Sequence, residues 1–474
     1  MFEHENSTIA AVCTGTGGAI SIIRISGPDA LGVLRAVWQG KRTPGPDCPR
    51  VMLYGRIRPR EDGAGEPSLA VFMPAPHSFT GEDVAEIHCH GGSFAARRAL
   101  RLALQAGARL AQNGEFTRRA FLNGKLDLTQ AEGILDLINA GSERAGLLAE
   151  RQLNGAVGSL VRDIRQEVVR LLSECESRLD FSEEDLDWMP PDAFRENVLA
   201  LRKRAASLAL TARAGNLIRD GVSLVIAGPP NAGKSSLLNR MLGYERAIVT
   251  PVPGTTRDTL EESLSLGGIR FRVTDTAGLR EAEQADPVEA MGMERSQQSL
   301  GAADIVLWLL DASAPAGSRP AQIEAMNRAR SGVRGKFIPC WNKLDAAADA
   351  ADELDAAGNA EGAKSGTDAI VFEHISARTG DGLDKLFRRL EDTAWDGLPA
   401  AAQSGAAAVS ERHAALLEQA ANHLDAAAER AREESWELAG SLLRTAAELI
   451  GCITGETATP DVLDEIFSRF CIGK

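Results

Sequence analysis

The spacing of apolar residues changes twice along the chain. Up to about residue 120, short β-like runs alternate with Gly/Pro turns, and residues 20–25 and 84–88 read as strands. Helical periodicity begins near Ala95, so residues 1–122 read as an α+β domain. From about 126 to 219 the pattern is helical. Leu153, Val157, Leu160, Ile164, Val168, Leu171, Cys175 and Leu179 recur three or four apart and predict one buried face. Trp188-Met189-Pro190-Pro191 interrupts that run and Phe194 restarts it. Residues 220–395 alternate strand and helix, as in a doubly wound α/β sheet. Within them, 346–368 is rich in Ala, Asp and Gly and reads as a loose surface excursion. After a linker at 397–408, Leu417, Ala420, Leu424, Ala427 and Ala431 return to helical spacing. The expected fold class is multidomain, α/β and α+β: the module at 220–395 is inserted into a discontinuous helical domain made of 123–219 and 396–474. No internal repeat is evident.

Composition narrows this picture only modestly. A chain of 474 residues exceeds one ordinary core. Its formal charge of −14 argues against a generic nucleic-acid coat or a polybasic membrane anchor. No apolar run approaches the ~18 residues of a membrane span, and the acidic start Met1-Phe2-Glu3-His4-Glu5 lacks the basic region of a signal peptide. Seven scattered cysteines do not form a disulfide framework and fit a reducing cytoplasm.

The chemistry begins at Gly228-Pro229-Pro230-Asn231-Ala232-Gly233-Lys234-Ser235-Ser236, between the apolar run 222–227 and Leu237-Leu238. Strand, Gly-rich loop and helix in that order make a phosphate cradle: backbone N–H groups face the phosphates, Lys234 reaches the terminal ones, and the Ser235 hydroxyl suits Mg²⁺. Further motifs follow in the order a guanine-nucleotide domain needs. The segment Thr250-Pro251-Val252-Pro253-Gly254-Thr255-Thr256 precedes Arg257-Asp258, and its Thr256 hydroxyl can close on Mg²⁺ and the γ-phosphate. Asp275-Thr276-Ala277-Gly278 ends a strand and can meet Mg²⁺ through water and the γ-phosphate through the Gly278 N–H. In Asn342-Lys343-Leu344-Asp345, the Asp345 carboxylate can accept from N1–H and the 2-amino group of guanine, donors that adenine lacks. Ser376-Ala377-Arg378 can bring backbone N–H groups to the guanine O6. Together they predict a GTP site on a Ras-like P-loop domain.

The residue after Gly278 is Leu279, which cannot orient water. Arg280, Glu281, Glu283, Asp286 and Glu289 in the following segment are the candidates for that role. The reaction also needs positive charge near the γ-phosphoryl.

With these motifs in hand, the chain resembles the MnmE (TrmE) family of tRNA-modification GTPases over essentially its full length. The resemblance rests on Arg24-Ile25-Ser26-Gly27, Ser78-Phe79-Thr80-Gly81-Glu82-Asp83, His90-Gly91-Gly92, the run from Gly114-Glu115-Phe116 to Lys125-Leu126-Asp127-Leu128, and the terminal Cys471-Ile472-Gly473-Lys474. It implies a cytoplasmic homodimer that works in a heterotetramer with the FAD-binding partner MnmG. That assembly adds an aminomethyl or carboxymethylaminomethyl group at C5 of the wobble uridine of certain tRNAs. The cofactors implied are GTP, Mg²⁺, K⁺ and a folate, 5-formyltetrahydrofolate or methylene-tetrahydrofolate, held by an N-terminal folate-binding and dimerisation domain.

The resemblance also assigns residues. Asn231, Thr250, Val252 and Thr255 would cradle K⁺ between dimerising G domains. Glu289 would orient the water, although Gln284-Ala285 and Pro287 depart locally from the family's loop. Arg24, Glu86, Lys125 and Lys474 would bind folate, whose carboxylate tail suits Arg or Lys and whose pterin donors suit a carboxylate. Cys471 is a further candidate beside it.

Other constellations read as structural. His88-Cys89-His90 has no second Cys/His pair at ligand spacing; a satisfied turn histidine is expected, with His90-Gly91-Gly92 at the mouth of the folate site. The acidic run 180–187 reads as a solvated helix end. A rival from another class is a ribosome-assembly GTPase, which would carry a basic RNA-binding extension absent here. An ion-transport GTPase would require a membrane segment.

Overall fold

The computed structural model describes residues 7–15, 17–58, 65–181, 187–243, 261–275, 299–347, 354–356, 370–396 and 408–473. Two compact units emerge: 1–135 with 151–206 and 415–474, and 136–150 with 207–414.

The first unit opens with β1 (Ile9–Val12), β2 (Ile20–Ser26), α1 (Ala30–Val37), β3 (Trp38–Gly40), β4 (Leu53–Ile57), β5 (Pro67–Met73), β6 (Val84–His90), α2 (Ser93–Gln105), β7 (Arg109–Leu110) and α3 (Glu115–Leu122). Its seven strands form one sheet in the order β3-β4-β5-β6-β2-β1-β7, antiparallel except where β7 joins β1. Alternation sorts the faces. Ile23, Ile25, Ala85 and Ile87 turn into a core shared with Val33, Leu34 and Val37 of α1 and Ala95, Ala99 and Ala103 of α2. Arg24, Glu86 and His88 are thereby left on the other face.

The helices of the chain's centre are α4 (Leu128–Asn139), α5 (Glu143–Leu153), α6 (Ala156–Asp180), α7 (Pro191–Ala209) and α8 (Ala212–Asp220). On α6, Val157, Ile164, Val168, Leu171 and Cys175 are buried as the periodicity requires. Leu160 and Leu179 are not; they are 40% and 46% exposed. Leu160 lies about 60° from the centre of the stripe at ~100° per residue, and Leu179 sits in the last turn, whereas Val161 and Leu172 complete the buried face.

The second unit carries β8 (Val222–Ala227), α9 (Lys234–Leu242), β9 (Glu261–Leu266), β10 (Ile269–Asp275), β11 (Ile305–Asp311), α10 (Arg319–Arg330), β12 (Lys336–Asn342), β13 (Glu373–His374) and α11 (Leu383–Trp395). The sheet order is β13-β12-β11-β8-β10-β9, parallel except for β9 with β10. Strand β8 is central, with β10 on one side and β11 on the other. Such a reversal of strand order opens a crevice at the carboxyl ends, where ligands of α/β sheets bind. Within 346–368, Leu354 is fully buried beside Leu310, Trp341 and Phe372, so part of that stretch belongs to the core.

The chain closes with α12 (Glu411–Arg432), α13 (Trp436–Thr454) and α14 (Pro460–Ser468). Leu417, Ala420, Leu424, Ala427 and Ala431 are all fully buried. Among the described residues, no helix is long and apolar enough to cross a membrane.

Candidate functional site

Two constellations carry chemistry, one in each unit. In the second, β8 delivers its carboxyl end into the loop 228–233, and α9 starts at Lys234. The loop bends through positive φ at Asn231 (62°) and Gly233 (92°). A Cβ at Gly233 would lie 2.4 Å from Asn342 Nδ2, so only glycine lets the loop pass there. Ala232 is buried, and Asn231, Ser235 and Ser236 are exposed. The Lys234 ammonium donates to the Gly228 and Pro229 carbonyls at 3.1 and 3.0 Å, folding back over the loop whose phosphates it would meet.

Asn342, 1% exposed at the end of β12, ties three segments together. Its Nδ2 donates to the Ala232 carbonyl at 2.8 Å, and its Oδ1 accepts from the Ala377 N–H at 3.0 Å. Lys343, at φ 65°, reaches Asp311 Oδ2 at 2.7 Å. Burial acts to raise the Asp311 carboxyl, but the Lys343 ammonium and the Ser313 hydroxyl outweigh it and hold it below the usual range. Leu344 opens a short helical turn that Asp345 continues. Asp345 accepts from the Ser376 hydroxyl at 2.5 Å and pairs with the exposed Arg378 guanidinium. The Ser376 hydroxyl, seconded by Arg378, holds the Asp345 carboxyl below the ordinary aspartate range, so it is an anion at neutral pH and a pure acceptor.

Residues 231–236, 342–345 and 376–378 therefore converge at one end of one sheet. The Asp275 backbone ends β10 beside β8, pairing with Ile226. Thr250, Pro251, Val252, Pro253, Gly254, Thr255, Thr256, Thr276, Ala277, Gly278 and Glu289 lie outside the described residues. The sequence reading missed Asp311 as the partner of Lys343; the two become neighbours only because β11 and β12 run in register, Asp311 opposite Asn342.

In the first unit, Arg24 and Glu86 stand opposite each other on β2 and β6, with Arg24 Nε 2.8 Å from Glu86 Oε1. His88, two residues along the same strand face, bonds the other carboxylate oxygen at 3.1 Å. Burial works to raise the Glu86 carboxyl, but His88 and Arg24 prevail and keep it below the ordinary glutamate value. The Arg24 guanidinium lies 5.1 and 5.7 Å from the Phe79 and Phe116 ring centroids. His88 and His90 are strand residues rather than turn residues; His90 bonds Glu66, and Cys89 is buried on the opposite face. That strand continues through 88–90 because each residue pairs with β2.

A buried network fixes the aromatic walls. Arg119 reaches both Glu82 oxygens at 3.1 Å and Glu115 at 3.0 Å; Arg109 also pairs with Glu115. Ser26 links Thr80 and Glu82, each at 2.7 Å. Lys125 donates to the Pro76 carbonyl at 3.0 Å, which brings it to the same 76–83 segment. The end of the chain arrives alongside: Ile472 bridges Asn113, and the Cys471 carbonyl faces the Gly114 N–H. Gly473 has φ 100°, and a Cβ there would lie 2.4 Å from the Val12 carbonyl. Cys471 is exposed; Lys474 lies outside the described residues. Phe79, Phe116 and His88 were not singled out as site residues from sequence; the i, i+2 spacing of Glu86 and His88 was the available signal for the last.

Comparisons with known proteins bear on both units. The family description "MnmE helical domain" matches residues 128–471, and "GTP-binding protein TrmE N-terminus" matches residues 8–125. The chain is 42% identical over 472 residues to the tRNA modification GTPase MnmE of Symbiobacterium thermophilum, covering 98% of this chain and 99% of that one. It is 41% identical over 471 residues to the protein of the same description from Xanthomonas campestris pv. campestris strain B100, and 42% over 474 residues to that of Roseiflexus sp.; each alignment covers 99% of both chains.

Proposed function

The chain belongs to the MnmE family of tRNA modification GTPases, and from that premise we propose how its two constellations serve the reaction. GTP is held at the carboxyl end of β8, with residues 231–236 around its phosphates. Asp345 reads the guanine N1–H and 2-amino group. Arg378, now on that carboxylate, yields one oxygen to the base. Asn342 keeps base and phosphate sites at a fixed spacing. Ser235 and Thr256 would hold Mg²⁺. Asn231, which is exposed and offers an amide oxygen suited to a weakly hydrated cation, would hold K⁺ with Thr250, Val252 and Thr255. An ion bound there would supply positive charge near the γ-phosphoryl as two G domains meet, and Glu289 would orient the water.

The N-terminal unit takes up a folate, 5-formyl- or methylene-tetrahydrofolate, that supplies a one-carbon unit. The observation that carries this reading is the partly exposed Arg24–Glu86 pair, with Phe79 and Phe116 beside its guanidinium. The rings offer flat apolar walls, Glu86 accepts from pterin donors, and Arg24 offers its guanidinium. Lys125 and Lys474 would serve the glutamyl tail, with Cys471 as a further candidate beside it. Residues of a homodimer partner would cover the Arg24 face of the sheet, where Tyr54, Leu69, His88 and Ile22 form one cross-strand row, with Tyr54 66% exposed.

With the FAD-binding partner MnmG, this assembly adds an aminomethyl or carboxymethylaminomethyl group at C5 of the wobble uridine of certain tRNAs in the cytoplasm. Titration with 5-formyltetrahydrofolate tests the reading. Saturable binding to the full chain that Arg24→Ala weakens about tenfold or more supports it, one lost charge-assisted contact being worth about 1.5–3 kcal/mol. A chain that takes no folate favours a GTPase that only switches a docking surface.

A further inference from the structure

The protein carries a net charge of −14, and its arginines commonly face carboxylates, as at Arg24, Arg119, Arg162, Arg178 and Arg219. Helix α2 departs from that habit. Its buried side is Ala95, Ala96, Ala99 and Ala103, small residues that seat it closely on the sheet and α1. On the opposite side Arg97, Arg98 and Arg101 fall within little more than one turn. No Asp or Glu occurs anywhere in Ser93–Gln105. None of the three guanidiniums pairs with a carboxylate among the described residues. Elsewhere, neighbouring arginines such as Arg388 and Arg389 share their helix with Asp384 and Glu391.

Like charges at i and i+4 disfavour a helix, so the stability of α2 does not explain the arrangement. Two further features extend it. Arg98 donates to the Arg58 carbonyl at 2.6 Å and Arg58 to the Arg35 carbonyl at 3.0 Å, which adds the Arg58 guanidinium to the same flank. Phe94, 70% exposed, stands one turn before Arg97 and lines with the arginines and Gln105 a depression of about 420 Å³. Guanidiniums with no carboxylate partner among the described residues fit phosphate oxygens, and a bare aromatic ring beside them fits the face of an unstacked base.

We propose that the exposed face of α2 docks the sugar-phosphate backbone of the tRNA, with Arg97 and Arg101 on phosphates and Phe94 stacked on an unpaired base. This rests on tRNA being the substrate, and it accounts for how an acidic protein engages a polyanion: through one locally basic face.

The test is filter retention of tRNA by the full chain over a range of salt concentrations, comparing Arg97→Gln/Arg101→Gln and Phe94→Ala with the wild type. Far-UV circular dichroism and the thermal melt of the full chain serve as the folding control and should be unchanged in both variants. The arginine variant should bind tRNA at least about tenfold more weakly. Its log–log salt dependence should be shallower by roughly 1.4–1.8, at ~0.7–0.9 for each of two lost phosphate contacts. Phe94→Ala should weaken tRNA about fivefold or more and leave an RNA duplex unaffected. Wild-type affinity and slope in the arginine variant would overturn the proposal, as would intact tRNA binding with loss of a protein partner, which would make α2 a protein-docking face. If the wild type itself retains no tRNA at the lowest salt, it is the premise of direct tRNA engagement that fails.

Discussion

Asn342 Nδ2 donates to the Ala232 carbonyl at 2.8 Å across 110 residues of sequence, joining the strand end that precedes Asp345 to the Gly-rich loop at 228–233. The same side chain accepts from Ala377, so one buried amide sets the spacing of three segments. Asn342→Ala would leave the Ala232 carbonyl and the Ala377 N–H without this partner. A loss of about 2–3 kcal/mol in stability is expected, since an orphaned buried group costs about 1–3 kcal/mol. Guanine-nucleotide affinity should fall at least tenfold. Thermal melts and titration with a fluorescent GDP measure both; an unchanged affinity would separate the amide from the site.

Asp345 is an acceptor at neutral pH because Ser376 and Arg378 stabilise its anion. Asp345→Asn substitutes an amide that can donate to a C2 carbonyl. Affinity for GTP should drop about 10²-fold or more, two charge-assisted bonds being lost. Affinity for XTP should rise correspondingly. Competitive titration of GTP, XTP and ATP reads this, and equal loss for all three would mean the loop had merely collapsed.

Arg119 and Glu115 form a buried pair, 6% and 8% exposed, that holds the aromatic segment over Arg24. Burial pushes the Glu115 carboxyl up, but Arg109, the Gln112 N–H and Arg119 together bring it below the ordinary glutamate value of 4.5. A carboxyl lowered in the folded state contributes stability that is complete above its unfolded value and is lost as pH falls through the folded one. Glu115→Gln should therefore cost about 3 kcal/mol near neutral pH. The gap to wild type should narrow progressively as the medium is acidified below the glutamate range. Chemical denaturation at several pH values checks this, and a gap independent of pH would remove the ion pair from the account.

Hydrolysis should be faster in K⁺ than in Na⁺, by about 10²-fold if the cation stabilises developing charge as a preorganised donor does. Glu289→Ala should keep GTP affinity and lose turnover. Steady-state phosphate release in matched chloride salts, with nucleotide titration alongside, measures both; similar rates in both salts would eliminate the cation's role.

The phosphate loop was readable because its strand, turn and helix are contiguous, and Lys234-Ser235 falls where the helix begins. Asp345 and Ser376 were readable as separate motifs, yet their hydrogen bond and the grip of Asn342 on Ala232 depend on strand order, which periodicity does not encode. The same holds for Lys343 with Asp311. Arg24 and Glu86 could be named by resemblance, while Phe79 and Phe116 reach Arg24 from segments 55 and 92 residues further on. Helical stripes were legible in their buried centres, such as Val168 and Leu171, and failed at an edge, Leu160, where solvent replaces a neighbour.

The most direct test of the account is mass spectrometry of wobble uridines in tRNA from cells lacking this chain, complemented with the wild type, Arg24→Ala or Asp345→Asn. The account predicts C5-modified uridine with the wild type, and its loss in the deletion and in both variants. Full modification in the deletion strain, or in cells relying on the Arg24 variant, would contradict it.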